Sequence, residues 1–82
     1  NPYFIEDGKQ EFFKDDEYAL YVRESGRLSQ QRVISAQARG SLNMNDPTQK
    51  DVDRLEKIVE TSRTKIRNSI KRARRKAAKN AA

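Results

Sequence analysis

The 82 residues contain no cysteine, no histidine and no tryptophan. Without cysteine there is no disulfide to staple a small domain. Without cysteine and histidine together, a zinc site is excluded for practical purposes. The same absences remove the usual nucleophile and base pairs, and the three glycines form no phosphate-cradling loop. Catalysis finds no support, so the chain reads as a non-enzyme with no cofactor and no metal. The clustered acids Asp15, Asp16 and Glu17 read as helix-capping groups rather than metal ligands. Long hydrophobic runs are missing too. The longest, such as Phe12-Phe13, are two or three residues, far short of the roughly 18 that a membrane span needs. No secretory signal is visible, and the chain begins Asn1-Pro2 rather than with Met, which leaves a processed product open.

The most telling absence is of acid. From Arg63 to Lys79 there are nine basic residues and not one acidic one. Residues 1–62 hold the other nine bases and all twelve acids, so the net charge of +6 is concentrated at one end. A dense cationic stripe repels itself when free. Beside a polyanion it is stabilised, because each neutralised phosphate releases condensed counterions. Nucleic acid is the expected partner, and the charge alone does not separate RNA from DNA. With 34% hydrophobic and 37% charged residues, the chain buries a modest core, and it is expected to be only partly folded until a partner stabilises it.

The pattern along the chain predicts one all-α domain over residues 1–82. Residues 1–14 lack helical period and read as an extended aromatic arm with a turn at Asp7-Gly8. Residues 15–39 read as two short helices. The first is capped by Asp15 or Asp16 and stopped by Gly26; the second starts at Ser29 and is stopped by Gly40. Residues 40–46 form a loop. A long helix over 47–79 begins with Asp46 as cap, Pro47 in the first turn and Gln49 completing a capping box. Its apolar stripe runs Val52, Leu55, Ile58, Val59, Ser62, Ile66, Ile70, Ala73 and Ala77, in steps of three and four. Outside that stripe, every charged residue from Arg63 onward is basic.

Arg63, Arg67, Lys71 and Arg74 form a row beside the stripe, about 16 Å long at 1.5 Å per residue. That row can meet several phosphates, with arginine forks binding bidentately. Lys65, Arg72, Arg75 and Lys76 add to the expected RNA-binding set, and Arg27, Arg32 and Arg39 are second-rank candidates. The six aromatics have core packing as their main expected job. Tyr3, Phe4, Phe12 and Phe13 in the arm are the candidates for binding a partner.

Several of these segments, in order, resemble the bacterial-type small-subunit ribosomal protein eighteen family. Phe4 followed by Gly8, then Phe13-Lys14-Asp15, is similar to the family's aromatic–Lys–Asp lead-in to its first helix. Tyr21 to Leu28 looks like its helix end, where Glu-Ser-Gly is followed by a basic and an aliphatic residue. Arg32-Val33 sits where the family has Arg-Ile before Thr-Gly, and Ile70 to Arg74 is identical to the family's Ile-Lys-Arg-Ala-Arg. This chain departs from the family at Gln30, where a proline is usual, and at Ile34-Ser35, which replaces Thr-Gly. It also carries about 22 extra residues, roughly 40–61, and lacks the hydrophobic Leu-Pro finish.

The resemblance implies a small three-helix nucleic-acid-binding domain on the platform of the small ribosomal subunit. Its implied partners are small-subunit rRNA, the small-subunit ribosomal protein six and other ribosomal proteins, with no membrane and no homo-oligomer. The divergence and the insertion point to an organellar, mitochondrial ribosome more than a bacterial one. Two rivals stand beside this reading. One is a small helical DNA-binding protein, disfavoured because the bases lie far from the start of the long helix. The other is a coiled-coil interaction module with a basic tail, disfavoured because Ser62 and Ser69 interrupt the heptads.

Overall fold

The computed structural model describes residues 4–6 and 9–81, with side chains over residues 13–80. The body is helical. Two long helices, α1 (Asp15–Ala38) and α2 (Gln49–Ala81), follow a short strand pair, β1 (Phe4–Glu6) and β2 (Lys9–Phe13). The strands are antiparallel, with Phe4 opposite Phe13 and Ile5 opposite Phe12, and the register slips between Ile5 and Glu6. The extended arm is thus folded back on itself; the expected turn at Asp7-Gly8 lies outside the described residues.

β2 feeds α1 through Lys14, whose backbone is still extended (φ −71°, ψ 161°). Its N–H donates to Glu17 Oε1 at 2.9 Å, so the acid on the third helical residue reaches back to an otherwise orphaned donor. Asp15, Asp16 and Glu17 together place negative charge at the positive end of the helix dipole. Asp15 and Asp16 are therefore first-turn residues, and Lys14 is the cap.

The two short helices expected over 15–39 are one helix of 24 residues, so the described residues form two helices and not three. Gly26 does not stop it. A glycine inside a helix costs about 1 kcal/mol relative to alanine, which packing of the flanking turns on α2 offsets. Tyr21 and Ser25 before the glycine and Ala36 after it are all buried. The real stop is Gly40, at φ +75°. Its N–H donates to the Gln37 carbonyl at 3.0 Å, and the Ser41 N–H donates to the Ala36 carbonyl at 2.9 Å. These two bonds satisfy carbonyls that the helix end would otherwise leave unpaired.

The helix after the loop starts later than the sequence suggests. Thr48 rather than Asp46 is its cap, and the partner three residues on is Asp51 rather than Gln49. Thr48 N–H donates to Asp51 Oδ2 at 2.8 Å, and Asp51 N–H donates weakly to Thr48 Oγ1 at 3.4 Å. This frame wins because Asp51 Oδ1 also accepts from the Asn43 N–H at 3.1 Å, pinning the loop to the helix. Leu42, buried in the same loop, and the Arg54 guanidinium, donating to the Ser41 carbonyl at 2.8 Å, complete the corner.

The two helices run antiparallel, with the start of α1 beside the later turns of α2. The core is a cluster of Phe13, Tyr21 and Ile70, flanked by Tyr18 and Ile66. Phe13 stacks on Tyr21 with centroids 5.0 Å apart and planes at 22°, which anchors the strand pair to both helices. Two serines, Ser25 and Ser62, are also buried in the helix pair, and each hydroxyl donates to a carbonyl of its own helix, at Tyr21 and Ile58. At 33 residues and about 1.5 Å each, α2 accounts for the 52 Å long axis. It outruns α1, so the predicted stripe is covered from Leu55 to Ile70; Val52 before it and Ala73 and Ala77 after it are exposed.

Candidate nucleic-acid interface

Helix α2 carries bases around all of its circumference but the apolar stripe from Arg63 onward, and the position of α1 sorts them. Arg67 is buried and Lys71 is half-buried. Arg74 Nε donates to Glu17 Oε2 at 2.6 Å and Nη2 donates to Oε1 at 2.7 Å, and its guanidinium carbon lies 5.7 Å from the Phe13 ring centroid. Three members of the expected phosphate row are thus turned toward the rest of the protein. The physical reason is that this row borders the apolar stripe, and α1 covers both. Arg63 is exposed, and Arg74 is exposed too but its guanidinium is engaged by Glu17.

Lys65, Arg72, Arg75 and Lys76 are exposed, as is Lys79, and the last three lie on the end of α2 that α1 does not reach. On α1, Arg27 and Arg39 are exposed and Arg32 is half-buried. Arg27 stands 3.8 Å from Glu24, which is also 3.5 Å from Arg23. Of the expected partner-binding aromatics, Phe13 is a core residue with no exposed surface. Its place opposite the two helices leaves no face for a partner. Tyr3, Phe4 and Phe12 carry no described side chain.

The structure brings together a set that the sequence reading divided. One hollow between the helices is walled by Arg27 and Gln31 of α1 and by Lys65, Ser69 and Arg72 of α2. It shares Gln31 with a second, walled by Arg32, Ser35, Arg39 and Ile58. That one shares Arg32, Arg39 and Ile58 with a third, which adds Arg54 and Lys57. The three form one continuous side of the helix pair, with seven bases and a single acid, Glu24. The opposite side is balanced: its hollows are lined by Glu56, Glu60, Arg63 and Arg67 among neutral residues.

Arg54 and Lys57 were missed because they lie in the segment of mixed sign. The signal was present in the spacing. Arg54, Lys57, Lys65 and Arg72 fall on one side of a helix that turns every 3.6 residues, whereas Asp53, Glu56 and Glu60 fall on another.

Two carboxylates are strongly held. The Arg74 fork is the main cause that draws the Glu17 carboxyl down to about 2, aided by the Lys14 N–H and opposed by desolvation. Asp51 is also lowered, chiefly by the Thr48 and Asn43 backbone N–H groups. Among the described residues, no helix is long and apolar enough to cross a membrane, and no group of three acidic side chains converges as a metal site would require. No known protein family, curated protein or solved structure matches the chain.

Proposed function

We propose that the chain is a structural, non-enzymatic RNA-binding protein, and that its particle is the small ribosomal subunit. The observation that carries the first half is the unneutralised charge. Lys65, Arg72, Arg75, Lys76 and Lys79 are exposed on one helix, with no acid on that helix beyond Glu60. A protein with this surface gains free energy by lying against phosphates and loses it in isolation. The second half is supported by the collinear residues from Phe13-Lys14-Asp15 to Ile70–Arg74. In this chain they hold the core and the ion pair that fasten both helices together.

In this role the protein neutralises rRNA phosphates so that RNA segments pack closely. It reads shape and backbone rather than sequence. Arg63, Lys65, Arg72, Arg75 and Lys76 carry the exposed phosphate contacts, with Arg27, Arg32 and Arg39 joining from α1. The neighbour expected from the family, small-subunit ribosomal protein six, would meet the strand pair at the opposite end of α1 from the loop. A mitochondrial ribosome is the compartment proposed.

Two measurements test this. The chain should co-sediment with small ribosomal subunits in high salt, and structured RNA should compete for it better than duplex DNA at equal ionic strength. Release from subunits at moderate salt would reject the ribosomal assignment. Equal competition by duplex DNA would reject the RNA preference.

A further inference from the structure

The charge on the two helices is sorted by side, and the sorting crosses from one helix to the other. We infer that base-paired RNA lies along the groove between α1 and α2, and not on the free end of α2 alone. Arg27, Arg32 and Arg39 form one wall of this track, and Lys57, Lys65 and Arg72 form the other. The inference rests on the RNA-binding reading and deepens it, because it joins Lys65 and Arg72 to residues that reading treats as secondary or leaves out.

Three observations fix the ligand class. The first is charge. The groove side carries seven bases and one acid, and that acid, Glu24, is already held between Arg23 and Arg27. Of the acids in α2's first half, Glu56 and Glu60 line the opposite side, and Asp51 is taken up by the Thr48 and Asn43 N–H groups and by Arg54, 3.9 Å away. The second is length. Arg27 to Arg39 spans about 18 Å of helix and Lys57 to Arg72 about 22 Å, so the walls run side by side over several phosphates. The third is what the groove lacks. Among the described residues no aromatic side chain lines any of its three hollows, and these offer unpaired bases nothing to stack on.

What lines the floor between the charges is Gln31, Ser35 and Ser69, with Ile58 and Ile66. Hydroxyl and amide groups donate and accept, which suits the ribose 2′-hydroxyls displayed by an A-form helix. A track that offers cations and 2′-hydroxyl partners, and no stacking platform, matches the backbone of a duplex and not a splayed single strand.

The test is a salt titration of the full chain on a base-paired RNA hairpin. Each phosphate contact contributes about 0.7–0.9 to the slope of log affinity against log salt. The triple variant Arg32→Gln, Arg39→Gln, Lys57→Gln should make the slope shallower by about two units. The exposed pair Lys65→Gln, Arg72→Gln should lower it by between one and two units. That second variant keeps the proposal testable if the half-buried Arg32 position disturbs folding. Tail neutralisation at Arg75, Lys76 and Lys79 should leave the groove's share of the slope in place. A slope that collapses with the tail and ignores both groove variants would overturn the track but leave RNA binding standing. A wild-type chain that ignores the hairpin, or prefers a poly-glutamate peptide or a duplex DNA of the same length, would overturn both.

Discussion

Arg74 grips Glu17 with two prongs, at 2.6 and 2.7 Å, across 57 positions of sequence. The pair joins the first turn of α1 to the last turn of α2 that α1 covers. It also sets Arg74 over the Phe13 ring, so one side chain links the helix start, the strand pair and the basic helix.

The pair gives the fold an acid limit. Glu17 titrates near 2 in the folded chain against an ordinary value of 4.5. A lowered carboxyl contributes its stability fully above the unfolded value and loses it as pH falls through the folded one. The window is therefore from about pH 5 down to about pH 2. Arg74 is partly exposed, so solvent screening reduces the contribution to about 1 kcal/mol. Urea melts at pH 7 and pH 3 should differ by about that amount in the wild type and by less in Glu17→Gln. Equal pH dependence in the two proteins would exclude Glu17 as its source.

The glycine inside α1 and the one just past its end should respond in opposite directions to the same substitution. A β-carbon at Gly26 meets nothing within 4 Å, and the site is mid-helix. Gly26→Ala should raise stability by about 0.5–1 kcal/mol. Gly40 holds φ +75°, where an L residue is strained. Gly40→Ala should lower stability by about 1 kcal/mol. Thermal melts of the two variants decide it; a Gly26→Ala that melts below wild type would show that a close approach at that turn matters more than propensity.

Removing the cap of α2 should loosen the loop before it. Thr48→Ala should cost about 1 kcal/mol. Amide exchange gives the location: the Asn43 and Thr48 N–H groups, both bonded to the Asp51 carboxylate, should lose protection when Asp51 becomes Ala. Unchanged exchange at Asn43 in Asp51→Ala would mean that the loop is held by Leu42 and Arg54 alone.

Two bases only two residues apart on α2 should behave differently. Arg67 is buried and Lys65 is exposed. Arg67→Ala should lower stability by about 1–3 kcal/mol through lost packing of its stem. Lys65→Ala should leave the melt unchanged and lower the salt slope of RNA binding by about 0.7–0.9. The reverse assignment in a paired melt and titration would mean that α1 covers the other side of α2.

Parts of this structure are plain in the sequence because one local rule decides them. The period of Leu55, Ile58, Ser62, Ile66 and Ile70 requires a helix, and Gly40 before a polar loop requires a stop. Gly26 misleads because glycine ends a helix only where the chain turns left-handed, and packing on α2 keeps it right-handed there. The cap misleads because Asp46 and Thr48 both offer a capping frame; the choice falls to Asp51, through a bond to Asn43 that no local pattern contains. The candidate site divides in the same way. The block of positive charge is a matter of composition. Which of its sides stays open depends on where α1 lies: α1 buries Arg67 and engages Arg74 through Glu17, and leaves Lys65 and Arg72 open.

The two helices meet at a corner made by Ser41, Leu42 and Arg54, and they end at the Arg74–Glu17 grip. Their contacts are therefore nested, each one closing a longer stretch of chain than the one before. The corner joins residues 13 apart, and the grip joins residues 57 apart. Loop closure costs more as the loop grows, so the order of assembly follows from the nesting: the corner sets first and the pair zips toward the strand end. Leu42→Ala should slow folding with most of its destabilisation, whereas Arg74→Ala should mainly speed unfolding. Stopped-flow rates showing the opposite partition would reverse the direction of the zipper. The end that closes last is also the end that opens first, and it is the end from which the basic helix projects.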